Sequence, residues 1–307
     1  MFKIKKYIPD IVVAIILIAG IGLLAYPTIG DYINALHSSK AIGSYVEKTK
    51  DLSKEEKENL LREAREYNES LVGKVNRYYL NEEEKKRYAH ILDITKTGIM
   101  AYVEIPKLNI YMPVYHGTDE GVLQIAAGHL PGSSLPVGGE NTHSLISGHR
   151  GLPSAKLFTD IDKLKKGDLF FIHVFDEVLA YKVNQIKIVL PDDVETLEIE
   201  KGKDYVTLIT CTPYGVNSHR LLVRGERTVY KQSESKIEDM IKKNNLKYIM
   251  LTAGVILALI GMTVLVSVFL IKRRKNGLLI PLQATAQKWK VQLSPRYAIL
   301  TIFHSLL

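Results

Sequence analysis

Cysteine is almost missing from this chain. One thiol, Cys211, stands among 307 residues, so no internal disulfide can staple the fold and a structural zinc site built on several cysteines is excluded. No Cys/His zinc spacing and no glycine-rich phosphate loop occurs, so neither a metal nor a cofactor is implied. Internal repeats and low-complexity tracts are absent too. A lone thiol outside the cell is either an inert buried side chain or a nucleophile.

Charge is missing from two long stretches, Ile11 to Gly30 and Tyr248 to Ile271. A bilayer core takes about 20 apolar helical residues. The second run has that length and no proline, and reads as a transmembrane helix. The first is weakened at its far end by Pro27 and glycines. It exceeds the usual signal-peptide core of about 7–15 residues and no small-x-small cleavage site follows, so an uncleaved anchor is favoured over a signal peptide. Lys3, Lys5 and Lys6 precede the first run, and Lys272, Arg273, Arg274 and Lys275 follow the second. Both clusters read as cytoplasmic, which places residues 31–247 outside a two-pass membrane protein. These clusters account for part of the net charge of +8, which needs no nucleic-acid partner.

Residues 51–90 are rich in Glu and Lys. Ser53-Lys54-Glu55-Glu56 fits a capping box, and Leu60, Ala64, Tyr67, Leu71 and Val75 recur at helical spacing, which predicts an amphipathic helix. Asn81 to Arg87 continues helical character. From Gly98 the texture becomes β-branched and aromatic, with Pro106 and Pro113 marking edge or bulged strands. Further strands are predicted at 143–147, 169–174, 178–190, 205–210 and 219–230, separated by Gly, Pro, Asp and Asn clusters. Many short strands and few helices point to a mainly β barrel or sandwich.

A cysteine nucleophile needs a proton carrier and a donor for the developing oxyanion. Arg220 suits the second role, since Cys211 ends one predicted strand and Arg220 opens the next, so that antiparallel pairing brings them together. His149 suits the first, but chemistry alone does not choose it over His90, His116, His129, His143, His173 or His219. Arg224 and Arg227 read as solvated strand residues.

The motifs narrow the choice. TLITCTPYGVNSHRLLVRGER (207–227) resembles the strand–loop–strand signature of sortases, the membrane-anchored cysteine transpeptidases of Gram-positive bacteria. The segment 114–168, which contains SGHRGLP, resembles the histidine region of the class C, pilin-polymerising branch. The resemblance spans residues 98–230. It implies an eight-stranded β-barrel with catalytic His149, Cys211 and Arg220, and leaves His129 and His143 without that role. Thr210 matches the family's strand end. The implied reaction cleaves a Leu-Pro-x-Thr-Gly-like sorting signal through a thioacyl-enzyme. The implied partners are pilin or surface-protein substrates with C-terminal sorting signals and the lysine amine of a second pilin subunit. Alternatives are attachment of surface proteins to cell-wall peptidoglycan, a hydrolytic cysteine peptidase, and an adhesion or sensor module with a structural cysteine.

The expected organisation is an anchor at 1–30, a helical, lid-like extension at 31–97, the catalytic barrel at 98–232, a linker at 233–247, a transmembrane helix at 248–271 and a basic tail at 272–307. Class C sortases commonly carry a lid with Asp-Pro followed by an aromatic residue. No Asp-Pro lies between Asp31 and Gly98. Tyr78 and Tyr79 are aromatic candidates there, and the plug stays unassigned. The tail, with its mix of basic and apolar residues and a Trp, suits interfacial binding to the inner leaflet or no function at all.

Overall fold

The computed structural model describes residues 8–230 and scattered positions between 250 and 272. The chain divides into two units, Met1–Tyr248 and Ile249–Leu307. In the second, the described positions are helical. Half of the apolar run 248–271 and all but the first residue of the tail 272–307 lie outside the described residues, as does the 233–247 linker.

The first unit is a closed barrel of eight strands. These are β1 (Ile99–Ile105), β2 (Ile110–His116), β3 (Ala127–His129), β4 (Thr142–Ser147), β5 (Leu169–Val174), β6 (Glu177–Val189), β7 (Asp204–Thr212) and β8 (His219–Arg227). Around the barrel they run β1-β2-β3-β4-β7-β8-β6-β5. Five strands coincide closely with the predicted runs. The hairpin β1–β2 carries the expected irregularity, a register shift between Ile99 and Ala101. Pro113 sits inside β2 just before the stretch, Val114 to His116, that pairs with β3, so its missing N–H breaks no ladder there. Closure leaves no free sheet edge.

Three helices precede the barrel: α1 (Ile8–Asp51), α2 (Lys54–Leu71) and α3 (Glu82–His90). A fourth, α4 (Glu120–Leu123), lies between β2 and β3. The capping box forms as expected, with Glu56 N–H donating to the Ser53 hydroxyl and the Glu56 side chain returning to Ser53. Leu61, Ala64, Tyr67, Asn68 and Leu71 form the buried stripe. Val75 does not belong to it. The helix stops at Leu71, Gly73 takes φ +71°, and Val75 is exposed.

α1 departs most from expectation. It runs unbroken through Pro27 for 44 residues, about 66 Å at the usual rise. Among the described residues it is the one helix long and apolar enough to cross a membrane. Its second half belongs to the fold: Ser38, Ile42, Tyr45 and Thr49 are buried at spacings of three and four. Tyr45 is fully buried; its hydroxyl donates to Met100 O at 3.1 Å and accepts from Phe175 N–H at 3.0 Å. Helix and barrel therefore share one core, and β1 is buried along its whole length.

Replacing Tyr45 with Phe leaves the Phe175 N–H and one Met100 acceptor site buried without that partner. The Tyr45→Phe variant is expected to lose about 1–3 kcal/mol of stability, read by denaturant unfolding.

Candidate active site

β7 is hydrogen-bonded on both sides, and this assembles the site. Against β8 it runs antiparallel, with Cys211 directly opposite Arg220. Against β4 it runs parallel, with Ser147 opposite Ile209. Parallel pairing brings the C-terminal ends of β4 and β7 to the same end of the barrel. The chain leaving β4 is then pinned to β7: Gly148 N–H donates to Ile209 O at 3.0 Å, and the Thr210 hydroxyl donates to Gly148 O at 2.7 Å. His149 is the next residue. The structure thus brings Cys211, Arg220 and His149 to one rim. Cys211 is partly exposed, and the His149 side chain is about one quarter exposed at 25%.

Each group has local support. Arg220 Nη1 donates to Asn217 O and His219 O, both at 3.2 Å, which holds the guanidinium at the β7–β8 loop. His149 Nε2 lies 3.6 Å from Glu120 Oε2. Gln124 donates to the other Glu120 oxygen. Gln124 and then His149 hold the Glu120 carboxyl below its ordinary range. Glu120 was not legible as a site residue, because α4 reaches His149 only through the fold. Arg150 turns away, bonding the Thr212 hydroxyl at 3.1 Å and Asp162 at 2.5 Å.

Four of the other histidines are occupied elsewhere. His129 is fully buried between Tyr88, Ser133 and Ser134, and burial pushes its pKa down to about 3. His143 is held by Glu198 O and Thr207; burial lowers it to about 4. His173 faces the buried Glu104 at 2.7 Å, and His116 bonds Gly98 O and Ile91 O. Arg224 is not merely solvated: it lies 4.1 Å over the Tyr205 ring and pairs with Glu200 at 3.0 Å.

Next to Cys211 and Arg220 this face is apolar. Ile209 and Leu222 lie two residues from each, so they point the same way. With Leu145 and Leu197 they form a small cluster separate from the main core. Tyr78, from the segment joining α2 to α3, packs on it together with Leu130 and Val189. Arg77 lies 4.9 Å over the Tyr78 ring and donates to the Tyr78 hydroxyl at 2.8 Å and to Leu197 O at 2.7 Å. Glu198 approaches Arg77 at 3.6 Å. An aromatic side chain from this segment thus packs on the cluster without any Asp-Pro pair, and it is Tyr78, since Tyr79 is 84% exposed.

Residues 103–228 match the family described as Sortase domain. The structure of sortase C1 from Streptococcus agalactiae is 49% identical, with a TM-score of 0.61; the match covers 62% of this chain and all of that one, 100%. The chain belongs to the sortase family. Sortase C of Streptococcus pneumoniae is 47% identical at a TM-score of 0.57, covering 63% of this chain and 99% of that one. Both of these solved neighbours are described as sortase C enzymes. Among curated proteins, Sortase A of Streptococcus agalactiae serotype III is 28% identical over 153 residues, 49% of this chain. The match takes in 61% of that relative's length.

In this sortase, His129 and His143 are buried neutral, with pKa values below the unfolded value near 6.5. The unfolded chain therefore binds more protons between about pH 6.5 and the folded values of about 3 and about 4. Their contribution to stability is full above about pH 6.5 and is lost as pH falls through that window. Imidazole nitrogen chemical shifts at pH 5.5 are expected to show both rings neutral, and the unfolding midpoint is expected to drop from pH 7 to pH 4.5.

Proposed function

We propose that this sortase is a pilin-joining transpeptidase with Cys211 as nucleophile, His149 as proton carrier and Arg220 as carbonyl ligand. The observation that carries this is the register of β7, which sets Cys211 opposite Arg220 and beside the strand end that bears His149. The high identity to sortase C1 supports the pilin branch, as does the S. pneumoniae sortase C structure, which is described in terms of pilin substrate specificity.

The Cys211 thiolate attacks the carbonyl carbon of the threonine in a Leu-Pro-x-Thr-Gly-like signal. Arg220 donates hydrogen bonds to the oxygen as it gains charge. The C–N bond to glycine breaks, His149 as imidazolium gives its proton to the departing amine, and a thioester remains on Sγ. A pilin lysine amine then attacks the thioester, the now neutral His149 accepts its proton, and the thiolate returns. The apolar cluster of Leu145, Ile209 and Leu222 supplies a floor for the signal's apolar side chains. α1 anchors the enzyme with the barrel outside the cell, and the 248–271 run returns the chain to the cytoplasm.

Tyr78 occupies that floor and must yield to a substrate. The Arg77 contacts to Leu197 and Glu198 make it a latch. Its role is to keep the floor beside the thiol occupied until a sorting signal competes for it.

Two outcomes test this reading. Cys211→Ala should abolish both the thioacyl adduct and covalent pilin ladders while the protein still folds and inserts, and Arg220→Lys should lower peptide cleavage about 100-fold. Ladders persisting in Cys211→Ala, with no second sortase present, would overturn it; transfer to a peptidoglycan amine but not to a pilin, read by mass spectrometry, would replace the pilin acceptor by the cell wall. Separately, Tyr78→Ala should speed alkylation of Cys211 about fivefold or more, because a larger fraction of molecules has an open groove.

A further inference from the structure

α1 leaves the protein surface at the loop that follows His149. A Cβ added at Gly30 would come within 2.9 Å of Ser154 O and 3.0 Å of Ser154 Cα. One residue on, Asp31 Oδ1 accepts the Lys156 backbone N–H at 2.8 Å. Before this point the helix shows lipid-suited side chains, with Ile18, Leu23 and Leu24 at 61%, 77% and 83% exposure. After it, Ser38, Ile42, Tyr45 and Thr49 are buried. Residues 11–30 rise about 30 Å, the thickness of a hydrocarbon core, so Asp31 stands where the helix emerges from the outer leaflet.

The loop that Asp31 holds is the one that carries His149. Phe158 N–H donates to His149 O at 3.1 Å, Leu152 and Ala155 form a bridge, and Gly151 N–H donates to the Thr159 hydroxyl at 3.2 Å. The Phe158 ring closes on Gly148, where an added Cβ would meet it at 2.6 Å. Lys156 is thus two residues from the amide that fixes the His149 carbonyl. A carboxylate accepting a backbone N–H is a strong, charge-assisted anchor, and it grips this loop from the helix rather than from the barrel.

We propose that Asp31 is a positioning residue for His149, so that the membrane-exit turn of α1 is part of the active-site scaffold. This rests on the reading of His149 as the proton carrier. The contact fixes the loop, and with it the imidazole, at the level of the bilayer surface. Small misplacements of a catalytic group cost heavily, about 100-fold for 1 Å, and a loop freed of its anchor samples open states at little cost.

The test uses the full chain in lipid nanodiscs, a fluorogenic Leu-Pro-x-Thr-Gly peptide, and amide hydrogen exchange at Lys156. Asp31→Ala is expected to lower kcat about tenfold with KM within about twofold and to speed Lys156 exchange. Asp31→Asn keeps the accepting oxygen, so it should retain most of kcat and the slow exchange. Near-wild-type kcat in Asp31→Ala would overturn the proposal, as would equal impairment of both variants with Lys156 exchange unchanged. If the wild-type chain cleaves no sorting peptide, the functional reading fails instead. Lys156 exchange then still decides the contact: protection lost in Asp31→Ala and kept in Asp31→Asn supports it, and unchanged protection refutes it.

Discussion

The register of β7 is the constraint on which the site depends. Val206 and Leu208 belong to the main core, while Ile209 and Cys211 stand on the groove side. Side chains alternate along a strand, so a slip of one residue would turn Cys211 into the barrel and expose the core residues. β8 repeats the pattern, with Leu221 and Val223 inside and Arg220 and Leu222 on the groove. The pairing Cys211↔Arg220 is therefore enforced by packing along both strands and not by any bond between the two side chains. β4 adds the third member because it runs parallel to β7. An antiparallel strand there would deliver its outgoing chain, and His149, to the opposite end of the barrel.

The same register creates a problem that the segment between α2 and α3 solves. An uncovered cluster of Leu145, Leu197, Ile209 and Leu222 would face water at about 25 cal/mol for each Å². Tyr78 covers it, and its hydroxyl is satisfied by Arg77. The covering group is tied to Leu197 O by two side chains, Arg77 at 2.7 Å and Tyr78 at 3.5 Å. Leu197 is itself part of the floor. Displacing Tyr78 therefore also loosens the β6–β7 loop. The loop keeps independent hold through His143 on Glu198 O and Arg224 on Glu200, so cover and loop can separate without the loop being lost.

Most of the barrel could be read from the chain because its strands are β-branched runs bounded by Gly, Pro and Asp. β3 could not, since Ala127-Gly128-His129 is too short to show a period. Helix α1 was hidden by Pro27, which locally argues against a continuing helix, yet the helix runs through it to Asp51. Val75 fitted the helical spacing of α2, but Gly73 ends the helix first. Within the site, the Cys211–Arg220 pairing follows from strand and turn spacing alone, whereas the choice of His149 rested on motif resemblance. Glu120 and Asp31 were invisible as partners, and Tyr78 could not be chosen over Tyr79, because their contacts span 29 residues, from Glu120 to His149, or many more. Such contacts are products of topology, and no local pattern encodes them.

α1 serves two solvents with one uninterrupted element. Its first half presents apolar side chains all round, as lipid requires, and its second half narrows to a single buried stripe, as a globular surface requires. A flexible linker at this junction would let the barrel wander by about 5–6 Å times the square root of the linker length. A continuous helix instead fixes height at about 1.5 Å per residue. Tyr45 then locks the helix's rotation, because its hydroxyl must meet Met100 and Phe175 together. Height and rotation being set, the rim with Cys211 has a defined distance from the apolar half of the helix.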